Sequence, residues 1–317
     1  MPTANEELSD ALVRHQTFLL RFARGLGQRA QSIIKKSNLE IEDIAKSRLS
    51  GIKSIDRPSD WNRVQTALKK MQASRDKAWK EVRDLMNNEL RELARQEPEF
   101  TIRRMQGVLP VKVDLKAPTA ARVDDLRNRP VEGRTMAGWI TSMKTADKAA
   151  VRGATISATS EGTPLLGGLR NGFSRTSRNL QTVSKTLTTD TAQKARQATL
   201  EQNDVVRQEE YIAVLDSRTT LICSSLDGKL FAVGNGPKPP IHVGCRSIRV
   251  AVLARDMLKD MPLTPQTEKE LASEFAKENG LGNVNSRADL PHGFKGKFDE
   301  WAPQRVSNRI GPPAKSV

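Results

Sequence analysis

The sequence predicts a mainly α-helical protein with a small α+β module in its C-terminal half, joined by extended linkers and ending in an extended tail. Three observations predict this. Apolar residues recur every three or four positions over long stretches before residue 100, the spacing of a helical stripe. Three short apolar runs, YIAVL, KLFAV and SIRVAVL, lie between Tyr211 and Leu253 and are separated by turn-forming residues. Hydrophobic residues make up only 37% of the 317 residues and aromatics 4%, so long helices and tails with modest cores are expected rather than one dense globule.

Taken in order, residues 1–99 read as a helical hairpin and docking region. Leu8, Leu12, His15, Leu19, Phe22, Leu26 and Ile33 mark one stripe over residues 8–35, with Ser9 and Asp10 in its first turn. His15 on this stripe reads as an interfacial histidine with a polar partner. A second helix is expected from about Asp60 to Gln96, capped by Ser59 or Asp60 and closed by Pro98. Its seam of Val64, Leu68, Met71, Ala78, Val82, Leu85 and Leu93 is interrupted by Arg75 and Glu89, and suits a hairpin or packing on another protein.

Residues 100–134, broken by Pro110, Pro118 and Pro130, read as an extended linker or a short strand pair. Residues 135–205 read as a helical subdomain with glycines 153, 162, 167, 168 and 172 at turns, and helices resuming near Arg175 and Thr188. Residues 206–255 form the strand-and-loop module, and residues 256–317 the extended tail.

Charge narrows the partners. The chain holds 52 Lys and Arg against 37 Asp and Glu, a net charge of +15. A surplus of that size favours polyanions. The basic residues are spread rather than clustered and are not interleaved with aromatics, so non-specific phosphate contact with double-stranded DNA is expected rather than base readout. No run reaches the ~20 apolar residues of a membrane span, and no signal peptide is visible, so a membrane is not expected as a primary site. Two cysteines make no disulfide framework.

The module carries the informative residues. Asp216, Ser217, Arg218 and Thr219 follow the first apolar run, Cys223 comes four residues later, and Asp227-Gly228 precedes the second run. Pro239-Pro240 then lead to His242 and Cys245-Arg246. Asp216 at a strand end suits pairing with Arg218 or Arg246. Asp227-Gly228 suits a hairpin turn, since glycine tolerates positive φ. This ordered set, with Thr191, Ala195, Arg196 and Asn203 upstream, resembles the C-terminal module of the MuF-like head-morphogenesis family, over about residues 148–253.

The resemblance implies a minor capsid protein of a tailed phage. It implies a protein incorporated in few copies with the portal, inside the virion head near packaged DNA after assembly in the host cytoplasm. Its expected partners are the portal protein, the major capsid protein and the packaged DNA, and its expected roles are procapsid assembly and genome ejection. Asp216, Arg218, Thr219, Asp227, Gly228, Pro240 and Arg246 are then its structural motif. The alternatives are a basic DNA-binding or DNA-delivery virion protein, and a toxin-like enzyme using Cys223 and His242.

Cys223, His242 and Cys245 also offer three ligands of the kind a structural zinc ion takes, with Asp216 or Asp227 available as a fourth. Family members often carry a further cysteine after the Cys-Arg pair, and here Ser247 stands in its place. Two free thiols and a Cys223–Cys245 disulfide are the other readings, and no cofactor is otherwise expected. Catalysis is not expected. The glutamate of zinc deaminases, two residues after the histidine, is replaced by Gly244. No phosphate-loop or dinucleotide-binding glycine pattern occurs.

Overall fold

The computed structural model describes residues 2–313 except Lys53. The fold is mainly helical, 68% of the chain, with one three-stranded antiparallel sheet in its C-terminal half, as the hydrophobic periodicity predicts. Helices α1 (Ala4–Leu49) and α2 (Pro58–Val108) form an antiparallel hairpin. Both are longer than the stripe alone indicates. Thr3 caps α1, its hydroxyl accepting from the Glu6 amide while the Glu6 carboxylate accepts from the Thr3 amide. In α2, Pro58 occupies the first turn, where its missing N–H leaves no bond unmade, and Arg57 stands at the cap in place of Ser59 or Asp60.

Pro98 does not close α2. It lies buried inside the helix, which runs on for ten more residues. An interior proline costs about 3 kcal/mol. Burial of Met105 and of Leu109, just beyond the helix, in the core at that end offsets the loss.

The expected linker over residues 100–134 is partly helical. Its first residues complete α2, and α3 (Ala120–Asn128) follows, capped by Thr119. Helices α4 (Met136–Ser160) and α5 (Leu165–Leu200) pack on the hairpin. Gly153 lies within α4, and Gly167, Gly168 and Gly172 within α5, rather than in turns, and α5 runs unbroken through Arg175 and Thr188, where separate helices are expected. A Cβ on Gly168 or Gly172 would sit 3.1 or 3.2 Å from the Cβ of Ala154 or Ala150, so their bare backbone lets α5 approach α4 closely.

The second half of α5 is buried on all sides. From Thr186 to Leu200 only Lys194 retains appreciable solvent contact, although the stretch TLTTDTAQKARQATL is largely polar. Its polar groups turn inward: Thr186 and Thr199 hydroxyls donate to carbonyls one turn back, and Lys194 donates to Asp190 and to the Arg129 carbonyl.

The sheet has the order β2-β1-β3, built from β1 (Val206–Ile212), β2 (Leu230–Ala232) and β3 (Ile248–Leu253). Strand β1 begins upstream of the expected YIAVL run and ends at Ile212, so Val214 and Leu215 leave the sheet and are exposed. Strand β3 is an edge strand paired only with β1, yet all six of its residues are buried, with α1 packed against it.

The tail is not extended. After a short turn of helix α7 (Arg255–Leu258), residues 265–278 form α8 and residues 292–310 form α9. Leu271 and Phe275 from α8, with Phe298, Val306 and Ile310 from α9, join Leu8, Leu12 and Met105 in one core. Asn5 closes the arrangement, donating to the Gly311 carbonyl at 3.0 Å and accepting from the Leu253 amide at 2.8 Å. The final four residues lie outside the described ones.

Two buried charge clusters tie the helices together. Arg75, fully buried, lies 3.0 Å from Asp147 of α4 and donates to the Ile34 carbonyl and to Asn38 of α1. Asp147 also accepts from Trp79 Nε1 of α2 and Thr176 Oγ1 of α5, both at 2.8 Å. Nearer the sheet, Glu97 of α2 pairs with Arg196 of α5 and, at 2.7 Å, with His15 of α1, whose ring stacks on Phe100. Arg75 therefore does not interrupt the seam; it anchors four helices. No helix among the described residues is long and apolar enough to cross a membrane.

Candidate functional site

The module grows out of β1. After Ile212 the chain leaves the sheet, turns through residues 214–219, forms the single-turn helix α6 (Leu221–Leu226) and returns as β2. Asp227-Gly228 is therefore not a two-residue hairpin turn. It is the exit from α6, where Gly228 takes a φ of 72° and Asp227 Oδ1 accepts from the Ala213 amide at 2.7 Å. The pairing on either side is nevertheless that of a hairpin end, since the Gly228 amide donates to the Tyr211 carbonyl and the Tyr211 amide to the Lys229 carbonyl.

Asp216 builds the first turn. Its carboxylate accepts from the Arg218 amide at 2.9 Å, and its own amide donates to Thr219 Oγ1 at 2.9 Å. Of its two expected arginine partners, Arg246 is the principal one: both guanidinium nitrogens reach both carboxylate oxygens at 2.6 Å. The Arg218 side chain stands off at 3.5 Å and is largely exposed. The Arg246 guanidinium and the Arg218 amide hold the Asp216 carboxyl well below the usual carboxylate range. Thr219 closes the turn by donating to the Val214 carbonyl.

The second loop, residues 239–247, lies across α5 and α1. Pro239 and Pro240 are buried and joined by a cis peptide. The Gly244 amide, at φ 79°, donates to Thr186 Oγ1 of α5 at 2.9 Å, and the Arg246 carbonyl accepts from Gln16 of α1. The buried, structurally engaged faces of these two helices are therefore the floor of the module.

Between the two loops lie Cys223, His242 and Cys245. Cys223 Sγ is 3.2 Å from His242 Nε2 and 3.8 Å from Cys245 Sγ, and the three ligand atoms all fall within 4.8 Å of one another. Both thiols are buried and free, and His242 is half-buried. His242 Nδ1 sits 3.1 Å from the Val243 carbonyl oxygen, a contact that orients the ring with Nε2 facing the sulfurs.

Burial opposes ionisation of Cys223, but hydrogen bonds from Ser247, Thr220, Tyr211 and His242 outweigh it and bring the thiol down to about 6. Cys245, more deeply buried and facing Cys223, is pushed up. Tyr211, whose hydroxyl lies 3.5 Å from Cys223 Sγ, is also pushed up by burial.

All the expected motif residues thus meet in one module, but neither expected fourth ligand points into the cluster. Asp216 is engaged by Arg246 and Asp227 by the Ala213 amide. The groups that do face Cys223 are the Tyr211 and Ser247 hydroxyls. Ser247 is a position the sequence singles out, whereas nothing in the spacing of Tyr211 marks it.

The module also presents an apolar surface that sequence reasoning missed. Among the described residues, Val214, Leu215, Leu221, Ile222, Leu230 and Val243 are six of the ten large hydrophobic side chains left exposed, with Leu221 at 89% and Ile222 at 55%. Helix α6 turns Cys223 and Leu226 inward and Leu221 and Ile222 outward. Arg218, Lys229 and Lys238, also exposed, lie between these residues in the sequence. Comparison of the chain with family models, with curated proteins and with solved structures gives no match.

Proposed function

We propose that the protein is a structural, non-enzymatic component of a tailed-phage head, docked inside the particle on the portal protein or the major capsid protein, close to the packaged DNA. In this reading it assists procapsid assembly and genome ejection. The observation that carries the reading is that the motif resembling the MuF-like module closes on itself and, in doing so, holds out an apolar surface. Asp216, Thr219, Asp227 and Arg246 each fix one loop end, and those loops carry Val214, Leu215, Leu221, Ile222 and Val243. Exposed large apolar side chains concentrated within one short segment of the chain favour a protein partner. The exposed basic residues of the same segment favour a partner that offers acidic residues beside apolar anchors.

The long helices are less suited to this role, because their apolar stripe is used inside the chain. Leu8, Leu12, Leu19, Leu26, Val64, Met71 and Val82 are all buried. A nucleophilic reading of Cys223 is less favoured because the group orienting His242 is a backbone carbonyl rather than a carboxylate. An acyl intermediate trapped on Cys223 would overturn that part of the proposal.

The test is incorporation. Co-expression with the portal and capsid proteins is expected to yield particles containing the wild-type chain. Leu221→Asp with Ile222→Asp is expected to remain folded and soluble but to drop out of the particles. Absence of the wild-type chain from purified particles, or wild-type incorporation of the double variant, refutes the reading. The net charge of +15 supports a second, DNA-delivery reading. That reading requires an affinity for duplex DNA whose logarithm falls linearly with log salt, by about 0.9 per phosphate neutralised.

A further inference from the structure

We infer that Cys223, Cys245 and His242 bind one zinc ion in tetrahedral geometry, with two thiolates, one imidazole and a fourth, exchangeable position taken by water. Such a site is independent of which partner the module docks on. Two sulfurs sharing a tetrahedral ion at Zn–S distances of ~2.3 Å lie about 3.8 Å apart. The observed separation of Cys223 and Cys245 Sγ is 3.8 Å, whereas a disulfide requires ~2.05 Å. Tetrahedral sulfur and nitrogen ligands at ~2.3 and ~2.05 Å lie about 3.5 Å apart, close to the 3.2 Å between Cys223 Sγ and His242 Nε2.

The three ligands are also held as metal ligands are. Cys223 is set by the Thr220-capped start of α6, and Cys245 by a turn in which its amide donates to the His242 carbonyl at 3.1 Å. His242 is oriented through Nδ1 by the Val243 carbonyl, the outer-shell contact that aims an imidazole at an ion.

The fourth position follows by elimination. Asp216 and Asp227 are committed elsewhere, and the Ser247 and Tyr211 hydroxyls, which face Cys223, are neutral donors suited to hydrogen-bonding a thiolate or a bound water. The ion would join α6 to the 239–247 loop, two segments that share no strand pairing. Its role is to fix that loop against the apolar face of α6.

The experiment uses the full chain, reduced, stripped of metal with a chelator and titrated with Zn²⁺ or Co²⁺. Elemental analysis is expected to give about one zinc per chain, and Co²⁺ to give the visible bands of tetrahedral thiolate coordination. Cys245→Ser is expected to lose stoichiometric binding. Ser247→Cys supplies a third thiolate at the open position, and is expected to tighten binding at least tenfold and to intensify the cobalt–thiolate absorption. If the folded wild-type chain fails to retain metal, or if the Co²⁺ spectrum is that of an octahedral oxygen site, the inference is overturned.

Discussion

Replacing Asp147 by alanine probes the charge cluster at the centre of the helical body. The substitution leaves Arg75 fully buried without its counter-charge and removes the acceptor for Trp79 Nε1 and Thr176 Oγ1. Burial alone pushes the Arg75 guanidinium down from its usual range while Asp147 pulls it back, so loss of the carboxylate removes the main compensation. Removing one partner of a buried pair typically costs roughly 3–5 kcal/mol, because the remaining charge is desolvated and unpaired. At roughly 2–4 °C per kcal/mol for a chain of this size, the melting temperature is expected to fall by roughly 6–20 °C.

The assay is urea unfolding followed by far-UV circular dichroism, with Arg75→Met and Asp147→Leu made singly and together. The double variant is expected to recover most of the loss, since two apolar side chains leave no orphaned charge. A loss below about 1 kcal/mol for Asp147→Ala, or a double variant as unstable as the single ones combined, would refute the assignment of this pair as the tie between the helices.

Burial pushes Asp190 up to about 6, with Lys194 pulling it back only in part. Its folded value therefore lies above its unfolded one, and stability is lost as pH rises from about 4 through about 6, by roughly 3 kcal/mol. Asp190→Asn removes that slope, so denaturation midpoints at pH 4.5 and 7 are expected to diverge in favour of the variant as pH rises; parallel profiles contradict it. Gly236 takes a φ of 74°, and a Cβ there would lie 2.3 Å from the Phe231 ring, so Gly236→Ala is expected to destabilise by roughly 1–3 kcal/mol in thermal unfolding. Asp216→Asn loosens the Arg246 clamp, and amide exchange is expected to quicken over residues 242–247 while α1 and α5 stay protected.

The fold class was legible because α1 and α2 carry long apolar stripes, interrupted in α2 only at Arg75 and Glu89, and three short apolar runs are separated by glycine and proline. The tail was not, although its signal is present. Phe298, Ala302, Val306 and Ile310 recur every four residues, a stripe narrow enough to be lost in a polar average and wide enough to complete a core that α1 and α2 supply. The ion pairs Arg287–Asp299 and Arg305–Glu278 engage part of the tail's charge. The C-terminal half of α5 shows the opposite limit: burial on every face leaves no periodicity to read, and its threonines and glutamines look like surface. At the candidate site the pairing of Asp216 with Arg246 was readable from residue type. The disposition of α6 was not, because a six-residue helix inserted into a hairpin leaves no mark beyond the Thr220 cap. Its exposed Leu221 and Ile222 look, in sequence, like core.

The buried charge clusters also set an order of events during synthesis. The α1–α2 hairpin is complete in length once residue 108 has left the ribosome, yet Arg75 and Glu97 lie at its heart with their principal counter-ions still to come. Asp147 arrives about 40 residues later and Arg196 about 90 residues later, so the hairpin cannot close dry on its own. It stays hydrated along that seam until α4 and then α5 emerge, and the nascent chain commits to its tertiary packing only when the segment that forms the floor of the module is in hand.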